Sequence, residues 1–450
     1  MKSYIYLFLL WGMICPDRLL AQASDSIALL SLEEAITIAI NNNHQIKISK
    51  YNADIQTLGN DPALVGRRPT IELNGSYQAG WSDASIETIP FGPSPDGNGA
   101  NSLEGFSHTI SVGPELSFLL FDGKASKLQL DQLGRSQAIA ELQLRQAIEN
   151  TVSAVVQAYI TLSNQQSLMD ISQQNIQLSQ DRLDRAKEDA QYGTSSSLQA
   201  LQIEVNLKTD SVAFRNQVVA YENAQRTLNY LLSAPIDRAY RVEDRLDWEE
   251  TLDLEELERS LQENNSLLRL AAQQVSLGEL GIALSKAAYR PRIQGFANFN
   301  YTYIQNDASF LLEQRTFGPN AGVSLNVPIV DGGARRIQKK QAQLTYQQRL
   351  LSQQDLEEEL FKELHNAYAV YQNSLSQLRI EESNLESFER NLENFQNQYL
   401  LGLVTNTDVR SAQLSLNAAM NRISNFQYTL KQSEIQLLLL AGKLVQEGEG

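Results

Sequence analysis

The sequence predicts an α+β membrane protein built from two copies of one unit, each joining a pair of long strands to very long helices. Two observations support this class. Sequence landmarks of the first half of the 450 residues recur in the same order in the second half. Segments that alternate apolar and polar residues, as strands do, lie beside long stretches without proline, as long helices require. Each unit therefore has the order helix, two strands, very long helix, turn and return helix.

The duplication is visible in five pairs of landmarks. The first three pairs lie 222 positions apart (31 to 253, for example), and the two that follow lie 209 positions apart (122 to 331). The pairs are Ser31-Leu-Glu-Glu and Asp253-Leu-Glu-Glu, Asn42-Asn43 and Asn264-Asn265, Arg68-Pro69 and Arg290-Pro291, Asp122-Gly123 and Asp331-Gly332, and Gly193 with Ser196 and Gly402 with Thr405. The second copy is thus 13 residues shorter between its Arg-Pro and Asp-Gly landmarks (222 against 209).

These landmarks divide the chain into five parts. We predict a signal peptide at residues 1–23, a first structural repeat at 24–235 and a charged linker at 236–253. A second structural repeat at 254–445 and a short tail at 446–450 complete the chain.

The N-terminal segment predicts export. Lys2 precedes an apolar run from Tyr4 to Cys15, and Ala21-Gln22-Ala23 fits a signal-peptidase site with cleavage after Ala23. Cys15 is the only cysteine, and the isoleucine before it is not small, which disfavours lipidation at this position. Beyond this segment no apolar run reaches the ~18 residues of a transmembrane helix. The expected destinations are therefore the periplasm, the outside or the outer membrane.

Four segments predict the strands. They lie at about 69–82 and 108–122 in the first repeat, and at about 291–304 and 317–330 in the second. One face of the first strand carries Ile71, Leu73, Gly75, Tyr77, Ala79 and Trp81, and the other carries Thr70, Glu72, Asn74, Ser76 and Gln78. A soluble sheet with one wet face or the wall of a transmembrane barrel would both alternate in this way. The length of the segments, the aromatic residues near their ends and the Gly/Pro-rich segment within the outer loop 82–107 favour the barrel.

A barrel wall of four strands predicts self-association. Open sheet edges cannot face hydrocarbon, because their unpaired N–H and C=O groups cost several kcal/mol each. Four strands are also too few to close a useful barrel, so copies of the chain must share one. A dimer would have eight strands and a lumen mostly filled by side chains, whereas a trimer would have twelve and a water-filled bore.

The long helices are predicted at 123–192 and 333–400. A continuous helix of this length would span roughly 100 Å. Apolar residues recur every seven positions in both, which predicts left-handed coiled-coil packing. Glutamines at seam positions of the first helix, such as Gln166, suit a helical wall with water on one side. The turns are predicted at 193–196 and 401–405, each followed by a return helix.

The helix starts also carry recognisable signals. Each repeat has a capping box at its first helix, a proline that ends helical character before the strand pair, and an aspartate that suits the cap of the long helix. In the first repeat these are Ser31 with Glu34, Pro69 and Asp122, and in the second they are Asp253 with Glu256, Pro291 and Asp331.

With these features the chain resembles the TolC-like outer-membrane efflux proteins, also called outer-membrane factors. The duplication, the Arg-Pro strand starts, the run Val330-Asp331-Gly332-Gly333 and the second tip from Tyr399 to Val409 carry the resemblance. It implies a homotrimer whose twelve-stranded β-barrel lies in the outer membrane and is continued by a long α-helical coiled-coil barrel in the periplasm. It also implies docking with a periplasmic adaptor (membrane fusion) protein and an inner-membrane RND or ABC transporter. Helix pairs at the periplasmic tip would move apart like an iris to open the duct.

The resemblance also implies a set of gate residues. Asp408 matches an acidic residue that rings the narrow mouth, and Tyr399 matches an aromatic latch residue. Ser411 stands where a second acidic ring residue is expected, Val404 where a basic latch residue is expected, and Gln199 where its acidic partner is expected. A closed state should therefore depend less on salt bridges than in the relatives that match best. From the residues alone, Asp408 is more simply interpreted as a helix cap or a solvated carboxylate.

The tips are the implied contact with the adaptor. Tyr192, Gly193 and Thr194 form this site in the first repeat, and Leu401, Gly402 and Leu403 form it in the second. Each glycine also has a simpler explanation, since a tight turn often requires one.

Composition and motifs exclude several other functions. The net charge of −16 argues against nucleic acid, because phosphate contacts need clustered Lys and Arg. The three histidines lie far apart, and we expect no metal site, no cofactor, no catalytic residue and no enzymatic activity. The favoured function is a passive exit duct of a tripartite efflux or type I secretion system. The alternative is a periplasmic or secreted coiled-coil structural protein or adhesin. The generic polar rows of the strands suit drugs, dyes, metals or unfolded polypeptide as cargo.

Overall fold

The computed structural model describes residues 28–87, 100–192, 196–243, 247–249, 251–309 and 311–444. The predicted signal peptide at 1–23, including Cys15 and Ala23, and the tail at 446–450 lie outside these ranges. Gly193 and Thr194 of the first tip also lie outside them.

The described residues form helices and strands in the same order in both repeats. The helices are α1 Leu32–Asn42, α2 His44–Gly59, α3 Ala125–Gln191, α4 Ser197–Leu231, α5 Leu254–Asn264, α6 Ser266–Ala287, α7 Ala334–Leu400 and α8 Asn406–Leu440. The strands are β1 Ala28–Leu30, β2 Thr70–Glu87, β3 Ala100–Phe121, β4 Tyr240–Val242, β5 Arg292–Asn306 and β6 Glu313–Asn326. None of the helices in these ranges is both long and apolar enough to cross a membrane.

Each repeat begins with two helices rather than the single helix that the sequence predicts. Asn43 breaks the first, because its side-chain oxygen accepts from the amides of Gln45 (2.8 Å) and Ile46 (3.4 Å) and so starts α2. Its amide group donates to the carbonyl of Leu231 at the end of α4 (2.8 Å). Asn265 does the same in the second repeat, where it donates to Leu440 (2.9 Å). The recurrent Asn-Asn landmark therefore fastens each helix break to the end of the return helix.

The helical body contains the core. α3 and α7 have 67 residues each, so each is about 100 Å long. α3 packs along α4, α7 packs along α8, and the two repeats meet where α3 contacts α6 and α8. Each repeat has a large apolar cluster beneath its first helix, and Tyr159 and Tyr371 are fully buried in these clusters.

The predicted linker is part of this core. β1 and β4 form a parallel two-stranded ribbon that the sequence did not predict. The hydroxyl of Tyr159 donates to Leu30 (2.8 Å) in β1 and accepts from the amide of Glu243 (3.1 Å) after β4. Gln166 is also buried, and its amide group bonds both backbone groups of Val242 (3.1 and 3.3 Å). The expectation that this glutamine faces water is therefore wrong: it holds the linker strand, because a short ribbon leaves backbone groups that need partners.

The four long strands form one antiparallel sheet in the order β2-β3-β5-β6. In the middle of the sheet the pairing aligns residues of like polarity across all four strands. One polar row is Ser76, Ser111, Thr302 and Thr316, and one apolar row is Ile71, Leu116, Ala297 and Ala321. The sheet thus has one mainly apolar face and one mainly polar face, as a barrel wall requires, although Phe296 and Ile304 pair with the polar residues Ser117 and Thr109.

The strand ends differ from the pattern-based bounds. β2 and β3 stay paired as far as Glu87 and Ala100, well inside the segment predicted as a loop at 82–107. Backbone pairing continues there although the apolar alternation has ended. β6 stops at Asn326, which pairs with Arg292, the first residue of its partner strand β5.

The capping boxes depart from the sequence prediction in detail. Ser31 accepts from the amide of Glu34 (3.2 Å), which is one of the two bonds of the expected box. Asp253 accepts instead from the amide of Glu255 (3.2 Å), and Glu256 is paired with Lys443. The second repeat therefore caps its first helix with the aspartate alone.

The caps of the long helices also differ in detail. Asp122 and Asp331 precede the left-handed residues that begin α3 and α7. Their carboxylates accept from the second helical amide, at Ser126 (2.5 Å) and Arg335 (2.9 Å). These aspartates therefore cap the long helices from two positions before the N-cap residues Lys124 and Gly333, not from the N-cap position itself.

Candidate gate at the helix tips

The second tip is a tight turn with an apolar surface. Gly402 has a φ of +75°, a left-handed conformation that favours glycine. The amide of Gly402 donates to Tyr399 and that of Leu403 to Gln398, both at 3.0 Å, which is the usual way to close a helix end. Leu401 and Leu403 are 73% and 71% exposed. The turn therefore presents two leucines on either side of a glycine.

The first tip is described on both sides of its turn. α3 ends at Gln191, and Tyr192, which follows it, is 84% exposed. The side chain of Ser196 accepts from the amide of Leu198 (3.2 Å) and so caps α4. Together with the second tip, this end of the chain carries an aromatic and several aliphatic side chains in contact with water.

Two of the predicted gate residues meet within the chain. The amide group of Gln199 at the start of α4 donates to the hydroxyl of Tyr399 at the end of α7, at 3.0 Å. This hydrogen bond joins the first tip to the second. It is a bond between two neutral groups.

Val404 lies apart from that bond. It packs, together with Tyr399, against the small apolar cluster of Leu392, Val409 and Ala412 between α7 and α8. Its side chain thus stabilises its own hairpin by apolar packing, whereas the resemblance led us to expect a basic residue at this position.

Asp408 caps the helix that follows the turn. Its carboxylate accepts from the amide (2.8 Å) and the hydroxyl (2.7 Å) of Thr405, and its own amide donates to the Thr405 hydroxyl (3.4 Å). These bonds form a complete capping box. Ser411 lies one helical turn further along α8 and is exposed.

The cap also determines the charge of Asp408. The hydrogen bond from the Thr405 side chain, followed by that from the Thr405 backbone, lowers the pKa of Asp408 below its usual range. The group is therefore a carboxylate at neutral pH, which is the state that a cation-attracting ring would need.

A polar cluster that sequence reasoning missed lies between α3, α4 and α8, within a few helical turns of the tips. Arg410 of α8 makes two bonds to Asp210 of α4 (2.8 and 2.5 Å), and Ser179 of α3 donates to the same carboxylate (2.6 Å). Beside it, Arg182 donates to Gln413, whose amide group donates to Asn175 (3.1 Å). Burial, and then the neighbouring Arg410, lower the pKa of Arg182.

The cluster gives no local sequence signal. Its ion pair joins residues 200 positions apart, so only the packing of α3, α4 and α8 brings them together. The side chains of Arg410 and Asp210 are only 14% and 12% exposed. It links the two helical hairpins of one chain, and its two bonds between a partly buried guanidinium and a carboxylate fix their relative position.

A groove of about 720 Å³ runs between the two tips. Acidic residues near the end of α3 line one side, and the second turn lines the other; the lining includes Glu188, Asp189, Gln199, Tyr399, Gly402 and Thr405. The groove brings together three predicted gate residues, Gln199, Tyr399 and Val404, with Gly402 of the second tip site.

Comparison with known proteins places this geometry in a family. A sequence model of the "Outer membrane efflux protein" family matches residues 36–234 and 257–443, which correspond to the two repeats. The chain is 22% identical, over 450 aligned residues, to the alkaline protease secretion protein AprF of Pseudomonas aeruginosa. That alignment covers 95% of this chain and 89% of the relative.

Solved structures share the fold. The Campylobacter jejuni CmeC outer membrane channel superposes with a TM-score of 0.75 at 14% identity, covering 93% of this chain and 86% of the channel. The outer membrane protein VceC of Vibrio cholerae superposes with a TM-score of 0.72 at 14% identity, covering 91% of this chain and 96% of VceC. The chain belongs to the outer membrane efflux protein family, and it is an outer-membrane exit duct of an efflux or secretion system.

Proposed function

We propose that three copies of this chain assemble into one duct, which passively conducts substrate from an inner-membrane pump across the periplasm and the outer membrane. The observation that carries this proposal is the two-faced sheet with two open edges. Within the described residues, β2 and β6 are each paired on one side only. The unpaired edges cannot face lipid, so each must pair with the opposite edge of another copy.

The need for a water-filled bore determines the number of copies. Three copies supply twelve strands, enough for a water-filled barrel, whereas two would supply eight and fill the lumen with side chains. The polar rows would line this bore and the apolar rows would face lipid.

The helical body supports the same assembly. α2 exposes Ile48, Tyr51, Ile55 and Leu58 at the spacing of one helix face, and α7 exposes Ile337, Leu344 and Leu351 at seven-residue intervals. We call the exposed α2 residues the α2 stripe. The corresponding face of α6, in the second repeat, is covered by α3 of the same chain. The α2 stripe would likewise be covered by α7 of a neighbouring copy.

The gate would lie at the tips. In the closed state Asp408 carboxylates from three copies surround the mouth, with Ser411 on the same side of α8. Tyr399 and Gln199 hold the two tips of one chain together, and Val404 packs inside its hairpin. Opening would move helix pairs apart like an iris.

The partners would be a periplasmic adaptor protein and an inner-membrane RND or ABC transporter. The exposed tip residues Tyr192, Leu401 and Leu403, with Gly402 between the leucines, offer the adaptor an apolar contact surface. Gly193 and Thr194 belong to the same proposed site. AprF is named for protease secretion, so polypeptides are one cargo class that we propose.

Membrane extraction and conductance test this function together. We expect the protein to leave isolated outer membranes only with detergent and to conduct ions when purified and reconstituted into planar bilayers. Release by salt or carbonate alone, without any conductance, would instead support a coiled-coil structural protein. A conductance that does not depend on Asp408 would support the function as a duct but would overturn the proposed gate.

A further inference from the structure

Basic residues gather where the sheet meets the helices, although the chain as a whole is acidic, with a net charge of −16. Lys124 and Lys127 lie at the start of α3, just after the end of β3. Lys286 and Arg290 lie at the end of α6 and in the turn that leads into β5. The junction is therefore a positively charged part of a negatively charged protein.

These four side chains line one cavity of about 610 Å³ between α3, α6 and α7. The three helices belong to one chain, so no second copy is needed to form the cavity. Its acidic lining residues, Asp131 and Glu279, lie further from the sheet, and Asp131 is one helical turn beyond Lys127. Glu279 also accepts a hydrogen bond from the hydroxyl of Tyr346 (3.3 Å). The end of the cavity nearest the sheet is therefore cationic.

The cations of this cavity are not neutralised by the rest of the described chain. Among the described residues, no acidic side chain forms an ion pair with Lys124, Lys127 or Lys286, and all three lysines are exposed. Arg290 donates to the carbonyl of Gly123 (2.8 Å), which is a neutral partner. An anion that enters the cavity would thus meet four positive charges.

The backbone at Lys124 supports a role for its side chain. Lys124 has a φ of 76°, in the left-handed region that residues with a Cβ adopt at a cost in free energy. The corresponding residue of the second repeat is Gly333, which adopts a φ of 90° without that cost. Backbone strain is often retained where it serves a function, so the strain at Lys124 favours a function for its charge.

The seven-residue repeat of α3 determines which way the cavity faces. Lys127 and Val155, and likewise Lys124 and Tyr159, are separated by whole multiples of seven residues and so share one face of the helix. Val155 and Tyr159 lie in the core cluster that α1 and the β1–β4 ribbon cover. In the proposed duct this covering layer lies outside the bore, because inside it would block passage. The cavity therefore opens to the outside of the duct, at the periplasmic end of the apolar rows of the sheet.

The second repeat adds cations at the same level. The first seven residues of α7 contain four cations and no acidic residue. Arg335 is paired with Asp331, whereas Arg336 and Lys340 are exposed. Arg336 corresponds to Lys127 under the repeat spacing of 209. A trimer would therefore carry a ring of cations around its outer circumference.

We propose that this cavity binds the phosphate head group of an anionic phospholipid in the periplasmic leaflet of the outer membrane. The inference rests on the proposed barrel, whose apolar face places the junction at the membrane surface. Lys and Arg side chains near a membrane surface attract anionic lipid, and each cation adds to the attraction. Arg290 and the three lysines donate the hydrogen bonds that phosphate oxygens accept. The bound lipid holds the duct at a fixed depth in the membrane.

Phospholipid binding by the purified, detergent-extracted protein tests this proposal. Native mass spectrometry counts the bound lipids as phosphatidylglycerol is added, with phosphatidylethanolamine as the zwitterionic comparison. The test variant is Lys124→Gly with Lys127→Gln, which removes two cations and relieves the backbone strain. The control variant is Lys187→Gln with Lys208→Gln, which removes two exposed lysines near the tips.

We expect the unaltered protein to bind phosphatidylglycerol more tightly than phosphatidylethanolamine, and the test variant to bind phosphatidylglycerol about ten-fold more weakly. The control variant should stay within about two-fold of the unaltered protein, because its lysines lie far beyond the screening length from the junction. Equal loss in both variants, or no loss in the test variant, would overturn the proposal.

Two further outcomes separate the lipid site from its alternatives. Displacement of phosphatidylglycerol by inorganic phosphate would assign the cavity to a free anion and would overturn the lipid. The same spectra give the number of chains in each particle. A particle that is not a trimer would overturn the proposed function and this inference with it, whereas a trimer without selective lipid binding would overturn the lipid site alone.

Discussion

Gly402 offers the sharpest test of the tip as a contact surface. Its φ of +75° costs an arginine about 1–2 kcal/mol, and a Cβ at this position meets nothing within 4 Å. This strain is confined to one turn between helices of 67 and 35 residues, so Gly402→Arg should still fold and assemble. Burying an unpaired guanidinium against an adaptor would cost about 3–5 kcal/mol, which corresponds to more than a hundred-fold loss of affinity.

The chain supplies matched controls for this substitution. Gly66 has a φ of +70° and equally open surroundings, but it lies before β2 at the other end of the helical body. Gly66→Arg should therefore keep export, and Gly402→Asn should keep it too, because asparagine tolerates a left-handed turn. Export is measured in cells in which each variant is the only outer-membrane duct, with native mass as the control for assembly. Full export by Gly402→Arg, or equal loss in Gly66→Arg, would refute the contact.

Three further predictions concern the gate. Asp408→Ala should raise the resting conductance and weaken block by divalent cations, whereas unchanged conductance and block would place Asp408 away from the constriction. The Thr405 bonds lower the pKa of Asp408, so the capping box stabilises the fold at pH values above the ordinary carboxyl pKa. This stabilisation is lost as the pH falls through the lowered pKa. Cation block should thus be constant across the neutral range, and its loss near neutral pH would show that repulsion among three carboxylates outweighs the cap. Tyr399→Phe removes one neutral hydrogen bond to Gln199, worth about 1 kcal/mol, so single-channel records should show roughly five-fold more opening; an unchanged open probability would mean that the bond does not hold the gate.

The fold class could be predicted because its signals are local and repeated. The two-residue alternation from Ile71 to Trp81 and the absence of proline through α3 are properties of single segments. The duplication then relates one segment to another without any knowledge of contacts. The family is confirmed by the match to both repeats.

The features that could not be predicted from the sequence depend on residues that are distant in the chain. Asn43 ends α1 because it reaches Leu231, and Gln166 is buried because it holds Val242. Asp210 and Arg410 each look like solvated charges on a helix, and only the packed hairpins pair them. Periodicity identifies an apolar face, but it cannot identify which polar residues on that face will find a partner. The gate residues stay predictions, although the chain already joins Gln199 to Tyr399.

The native mass of the protein, extracted by detergent from isolated outer membranes, tests the central claim most directly. The account predicts three copies of the exported chain in one particle, because the edges of β2 and β6 must pair between copies to close the barrel. A monomer, or recovery of the protein in the soluble periplasmic fraction, would contradict the shared barrel and the duct that depends on it.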